Sequence, residues 1–161
     1  MKSQVACQLN NLASEITTYV EKFDLSAIPA LDFAYYPSSN EISFSLVVTD
    51  DSSKYFSTFV KKEFPNIHAD IFLWSLFHEI GHHETIDEWD DDEYDFFQQE
   101  KEKITKIKDA KARNMTYFYI EDEYAATAWA AQYLEEHQCE VATLWSNIQK
   151  MILNIYNEIE R

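Results

Sequence analysis

His68-Ala69-Asp70-Ile71-Phe72-Leu73-Trp74-Ser75-Leu76-Phe77-His78-Glu79-Ile80-Gly81-His82-His83-Glu84 is apolar nearly all round when wound as a helix, with Ile71, Phe72, Leu73, Trp74, Leu76, Phe77 and Ile80 spread over every side. A helix without a polar face belongs at the centre of a fold. The imidazoles it carries are then costly to bury unless something satisfies them. His78 and His82 are four residues apart, so both rings leave one face about 5–6 Å apart at Cβ. That spacing lets two imidazoles share one tetrahedral Zn2+ ion. Glu79 is rotated off the ligand face and stands where a general base could reach a metal-activated water. Gly81 is the only glycine in the chain. A helical glycine costs roughly 1 kcal/mol against alanine, and its bare surface would let a neighbouring segment approach the helix closely.

Around this helix the chain of 161 residues reads as one domain over 1–161, of α+β class and predominantly helical, since it holds one Gly and three Pro. Val5, Leu9, Leu12, Ile16, Val20 and Phe23 step along residues 4–23 as an amphipathic helix. Ile42, Phe44, Leu46 and Val48 alternate with polar residues as a half-buried strand, which pairs with residues 31–36 in a small N-terminal hairpin. The free edge of the 41–48 strand is expected to take an extended peptide. Asp50-Asp51-Ser52-Ser53 opens a helix that Pro65 ends. Residues 84–95, eight of them acidic, read as a solvated loop, and 101–113, with six basic side chains, as one exposed helix. Residues 117–120 fit either a strand or a helix entry; 121–137 and 141–159 read as helices.

The 29 acidic residues against 13 basic ones give a net charge of −16, which argues against a nucleic-acid backbone or an anionic membrane surface and leaves two readings, solubility first and attraction to a basic protein partner second. No apolar run has the length of a membrane helix, and the N-terminus lacks a signal-peptide core. Cys7 and Cys139 are too few for a disulfide scaffold. A soluble, reduced, cytoplasmic protein is the expectation.

Two histidines need a third ligand. Positions 87 and 88, Asp and Glu, put no His five or six residues beyond His82, so a Glu from a later helix remains. Glu123 leads a run with small residues at 125, 126, 128, 130 and 131, which lets its helix press against the histidine helix. Glu121, the rival, points about 200° away. Tyr117, Tyr119, Tyr124, Tyr133 or His137 could stabilise an oxyanion; His83 and His68 read as surface or supporting residues.

Glu123-Tyr124-Ala125-Ala126-Thr127-Ala128-Trp129-Ala130 resembles the second motif of gluzincin-type peptidases, and with His78-Glu79-Ile80-Gly81-His82 the nearest likeness is the ImmA/IrrE-like group of small bacterial and phage metallopeptidases. The likeness covers about 60 residues, Phe72 to Tyr133. It implies a zincin-like fold, His78, His82 and Glu123 as zinc ligands, Glu79 as general base, and a protein or peptide substrate. Thr127 departs from it, standing where that family usually has an Asp that holds a ligand imidazole. A zinc metallopeptidase is therefore the leading expectation. A non-catalytic, zinc-stabilised acidic interaction protein is the alternative, and an acidic DNA mimic a third. Two imidazoles and a carboxylate also suit iron.

Overall fold

The computed structural model describes residues 22–24, 34–39, 41–43 and 51–159. Three short strands, β1 (Lys22–Asp24), β2 (Ala34–Tyr36) and β3 (Glu41–Ser43), form one sheet in the order β1-β3-β2. The hairpin is present in its described part: β2 runs antiparallel to β3 with Tyr35 opposite Ile42, across the turn at residues 37–39. Two expectations are corrected here. Lys22 and Phe23 continue no helix; they pair in parallel with Glu41 and Ile42, so their backbone takes ladder bonds from β3. The rest of the expected 4–23 helix lies outside the described residues, as do residues 44–48. With β1 on one side and β2 on the other, residues 41–43 offer no free edge. Among the described strands, the one that flanks the centre described below is β2.

Among the described residues six α-helices follow: α1 (Asp51–Glu63), α2 (Ile71–Thr85), α3 (Asp91–Ile104), α4 (Ala110–Phe118), α5 (Glu121–Glu136) and α6 (Gln138–Ile159). The chain is thus α+β and mostly helical. Lys61 and Lys62 close α1 where the helix dipole favours cations, and Pro65 stops its continuation. Asp70 caps α2 by accepting the Phe72 N–H at 2.8 Å. The apolar surface of α2 is spent on all sides: Phe72, Leu73, Trp74, Leu76, Phe77 and Ile80 are buried in a core with Phe56, Phe59 and Val60 of α1 and Ala130, Ala131 and Leu134 of α5.

The acidic stretch is no simple loop. Ile86–Glu88 form a single 3-10 turn, and α3 begins at Asp91. Asp90 and Glu93 close a capping box, and Asp91, Asp92 and Glu93 occupy the first turn, where exposed backbone N–H groups favour carboxylates. Nor is the basic stretch one helix. α3 ends at Ile104, and Asp109 caps α4 by accepting the Ala112 N–H at 2.7 Å. The break lets Ile104 and Ile107 both reach a second apolar cluster with Phe97, Trp89 and Ile120. Tyr117 and Phe118 end α4, and Ile120 is the N-cap residue of α5.

α2 and α5 form the principal helix pair. Gly81 makes it possible: a Cβ there would lie 2.9 Å from the carbonyl carbon and 3.0 Å from the Cα of Ala126. Glu123, Ala126, Thr127, Ala130 and Leu134 are buried along one stripe of α5, spaced by three and four; of the small side chains expected to allow close approach, Ala126 meets Gly81 and Ala130 and Ala131 are buried, whereas Ala125 and Ala128 are half-buried.

Candidate metal centre

The close α2–α5 contact brings side chains of opposite chemistry together. His78 and His82 stand one turn apart on α2 with ring centroids 4.6 Å apart. Glu123, on the first turn of α5, reaches between them: its Oε2 lies 3.1 Å from His78 Nε2 and 3.2 Å from His82 Nε2. One donor atom from each residue falls within 4.8 Å of the other two, a group that could hold a metal ion. His78 and Glu123 are buried and His82 half-buried. Glu121, the rival ligand, is exposed.

The donor set suits a divalent ion. Burial pushes the Glu123 carboxyl up, yet the neighbouring His82 and His78, by charge and by hydrogen bond, hold it well below the usual carboxylate range. It is therefore an anion, and each imidazole aims Nε2 at the same oxygen. Thr127 fixes one of those orientations. Its hydroxyl donates to the Glu123 carbonyl at 2.9 Å, so it accepts from His78 Nδ1 at 2.9 Å and turns Nε2 toward Glu123. The Thr thus does, without charge, what an acceptor beyond a metal-bound histidine ordinarily does. Thr127 is fully buried, so Thr127→Val should orphan the Nδ1–H and cost about 1–3 kcal/mol in denaturant unfolding. Zinc titration against a competing chromophoric chelator should show roughly ten- to hundredfold weaker binding. Thr127→Ser should retain both.

Glu79 sits beside this group with Oε1 4.0 Å from His78 Nε2. Burial raises its pKa to about 7, helped by the Glu123 charge and opposed by His78, a hydrogen bond from the Tyr35 backbone and Lys101. A carboxyl in that range can take and return a proton near neutral pH.

His78, Glu79, His82 and Glu123 all open onto a cavity of about 740 Å³. Ala34, Tyr35 and Pro37 from β2 and its turn form one wall, and Trp89, Tyr94, Gln98 and Lys101 form another. Tyr35 joins the sheet to α2, its hydroxyl 2.8 Å from His83 Nδ1, and His83 lies outside the His78, His82 and Glu123 group. Desolvation raises the Tyr35 hydroxyl to about 12, with Asp87, Tyr94 and Glu84 adding to it.

Of the residues considered for an oxyanion, only Tyr117 lines the cavity. Its hydroxyl donates to Glu123 Oε1 at 2.7 Å. Tyr119 is exposed and engages Lys62 and Glu63 at the surface, and Tyr124 stacks on it. Tyr133 stacks between Phe77 and His137, and His137 Nδ1 faces the Tyr133 carbonyl. His68 is exposed, and the cap of α2 is Asp70 instead. Cys139 is an exposed free thiol away from the cavity lining.

Lys101 and Asp122 are the site residues the sequence reading missed. Lys101 was expected on an exposed face; instead its Nζ lies 2.6 Å from Glu123 Oε1 and 2.6 Å from Asp122 Oδ2. The signal was present: Phe97, Lys101 and Ile104 are four and three residues apart, which places Lys101 on the inward stripe of α3. Desolvation would lower its pKa, but Glu123 and Asp122 outweigh that and raise it, so it stays a cation.

No helix among the described residues is long and apolar enough to cross a membrane. Comparison of the chain with protein-family models, curated proteins and solved structures finds no match.

Proposed function

We propose that the protein is a zinc-dependent metallopeptidase of the gluzincin kind, with a zincin-like fold, His78, His82 and Glu123 as ligands and Glu79 as general base. The observation that carries this reading is the pairing of a buried His/His/Glu group with a second, separately held carboxylate on the wall of one cavity. A purely structural centre has no use for Glu79, whose burial is costly. Zinc bound there would supply Lewis acidity to a water and to the scissile carbonyl. Glu79 would take the water proton and return it to the leaving amine, its carboxyl steadied by the Tyr35 backbone. β2, at the sheet edge and on the cavity wall, would lie alongside an extended peptide.

Zinc-loaded wild type and Glu79→Gln should be compared on a mixed peptide library, with cleavage read by mass spectrometry and zinc content measured in parallel. The amide keeps the shape and loses the base, so unchanged zinc with no detectable cleavage is expected. Equal cleavage by both proteins contradicts the assignment of Glu79. Zinc-loaded wild type that cleaves nothing favours the non-catalytic acidic interaction protein.

A further inference from the structure

The two oxygens of Glu123 have different partners. Oε2 faces both imidazoles, whereas Oε1 receives the Tyr117 hydroxyl at 2.7 Å and the Lys101 ammonium at 2.6 Å. We propose that Lys101 is a positioning residue which, with Tyr117, restricts Glu123 to one-oxygen coordination; the inference rests on the metal-centre reading above.

A carboxylate oxygen has two lone-pair sites, and Oε1 has two donors to meet them, the Tyr117 hydroxyl and the Lys101 ammonium. The clamp is anchored at both ends. Asp122 Oδ1 accepts the Glu123 backbone N–H at 2.9 Å, and Asp122 Oδ2 holds Lys101 at 2.6 Å. Backbone, ammonium and carboxylate thus close a ring that sets both the main chain and the side chain of Glu123. Lys101 reaches in from α3, the far wall of the cavity, and its side chain is only 19% exposed. It also separates two neighbouring buried carboxylates that would otherwise repel. Without it, Tyr117 alone would hold Oε1, leaving one lone pair of that oxygen available to an ion bound beside Oε2.

Cobalt(II) substitution reads this directly, because visible absorption is intense at four-coordinate cobalt and weak at higher coordination. Wild type, Lys101→Met and Lys101→Arg are each titrated with cobalt, with folding checked by circular dichroism. Absorbance per bound cobalt should fall several-fold in Lys101→Met and return in Lys101→Arg, whose guanidinium can span Asp122 and Glu123. If Lys101→Met does not fold, Tyr117→Phe removes the other Oε1 donor without changing charge and should give a smaller fall. Identical spectra in every folded variant, with or without tighter binding in Lys101→Met, would mean that Lys101 acts only as a counter-charge and overturns the clamp. Wild type that binds no cobalt or zinc overturns the metal-centre reading itself, and the clamp with it.

Discussion

Gly81→Val should lower stability by about 3 kcal/mol, which for a chain of this length is a melting-temperature loss of roughly 6–12 °C. Intrinsic propensity predicts the opposite, since Gly is the poorest ordinary residue in a helix interior. Packing decides the sign. The new Cβ would meet the Ala126 backbone, 2.9 Å from its carbonyl carbon. A backbone carbonyl cannot rotate out of the way as a flexible side chain can, so α2 and α5 must part. That movement carries His78 and His82 away from Glu123, and zinc affinity should fall together with stability. Gly81→Ala should show the same direction with a smaller size. A melting temperature that stays or rises in thermal denaturation contradicts the close helix contact.

Zinc should stabilise the wild-type chain strongly. At free zinc a thousandfold above its dissociation constant, mass action supplies about 4 kcal/mol, or roughly 8–16 °C in melting temperature at this length. Glu123→Ala should lose most of that rise, because the remaining imidazoles lack the anion that draws the ion between them. Chelator should return wild type to its metal-free melting point without abolishing the transition, because the α2–α5 pair is also held by Phe77, Ile80, Ala130 and Leu134. An equal zinc-induced rise in both proteins would place the ion elsewhere.

The parts of this protein legible in its sequence are those set by spacing within one helix. The four-residue step of His78 and His82, the lone Gly81 and the small residues around Ala126 each state a local geometry, and together they imply the pair that brings Glu123 in. Thr127 was legible only as a departure from an expected Asp, and neither its contact with His78 Nδ1 nor its donation to the Glu123 carbonyl could be read from spacing. What stayed hidden depends on contacts distant in sequence or on capping. The order of three short strands follows from pairing energies that no single strand declares, so the central place of β3 was missed. The acidic and basic stretches were read by charge. Charge near a helix end is governed by caps, and Asp90 and Asp109 start helices there. Lys101 was hidden for a related reason: a basic run suggests solvent, while its partners, Asp122 and Glu123, lie more than twenty residues away.

The most direct measurement is zinc per chain by mass spectrometry, on protein purified without a metal-affinity tag, for wild type, Glu123→Ala and Glu121→Ala. About one zinc in wild type, lost in Glu123→Ala and kept in Glu121→Ala, is the expected result for a centre of two imidazoles and one buried carboxylate. Wild type that holds no zinc after reconstitution, or Glu123→Ala that retains it, contradicts a centre built on His78, His82 and Glu123.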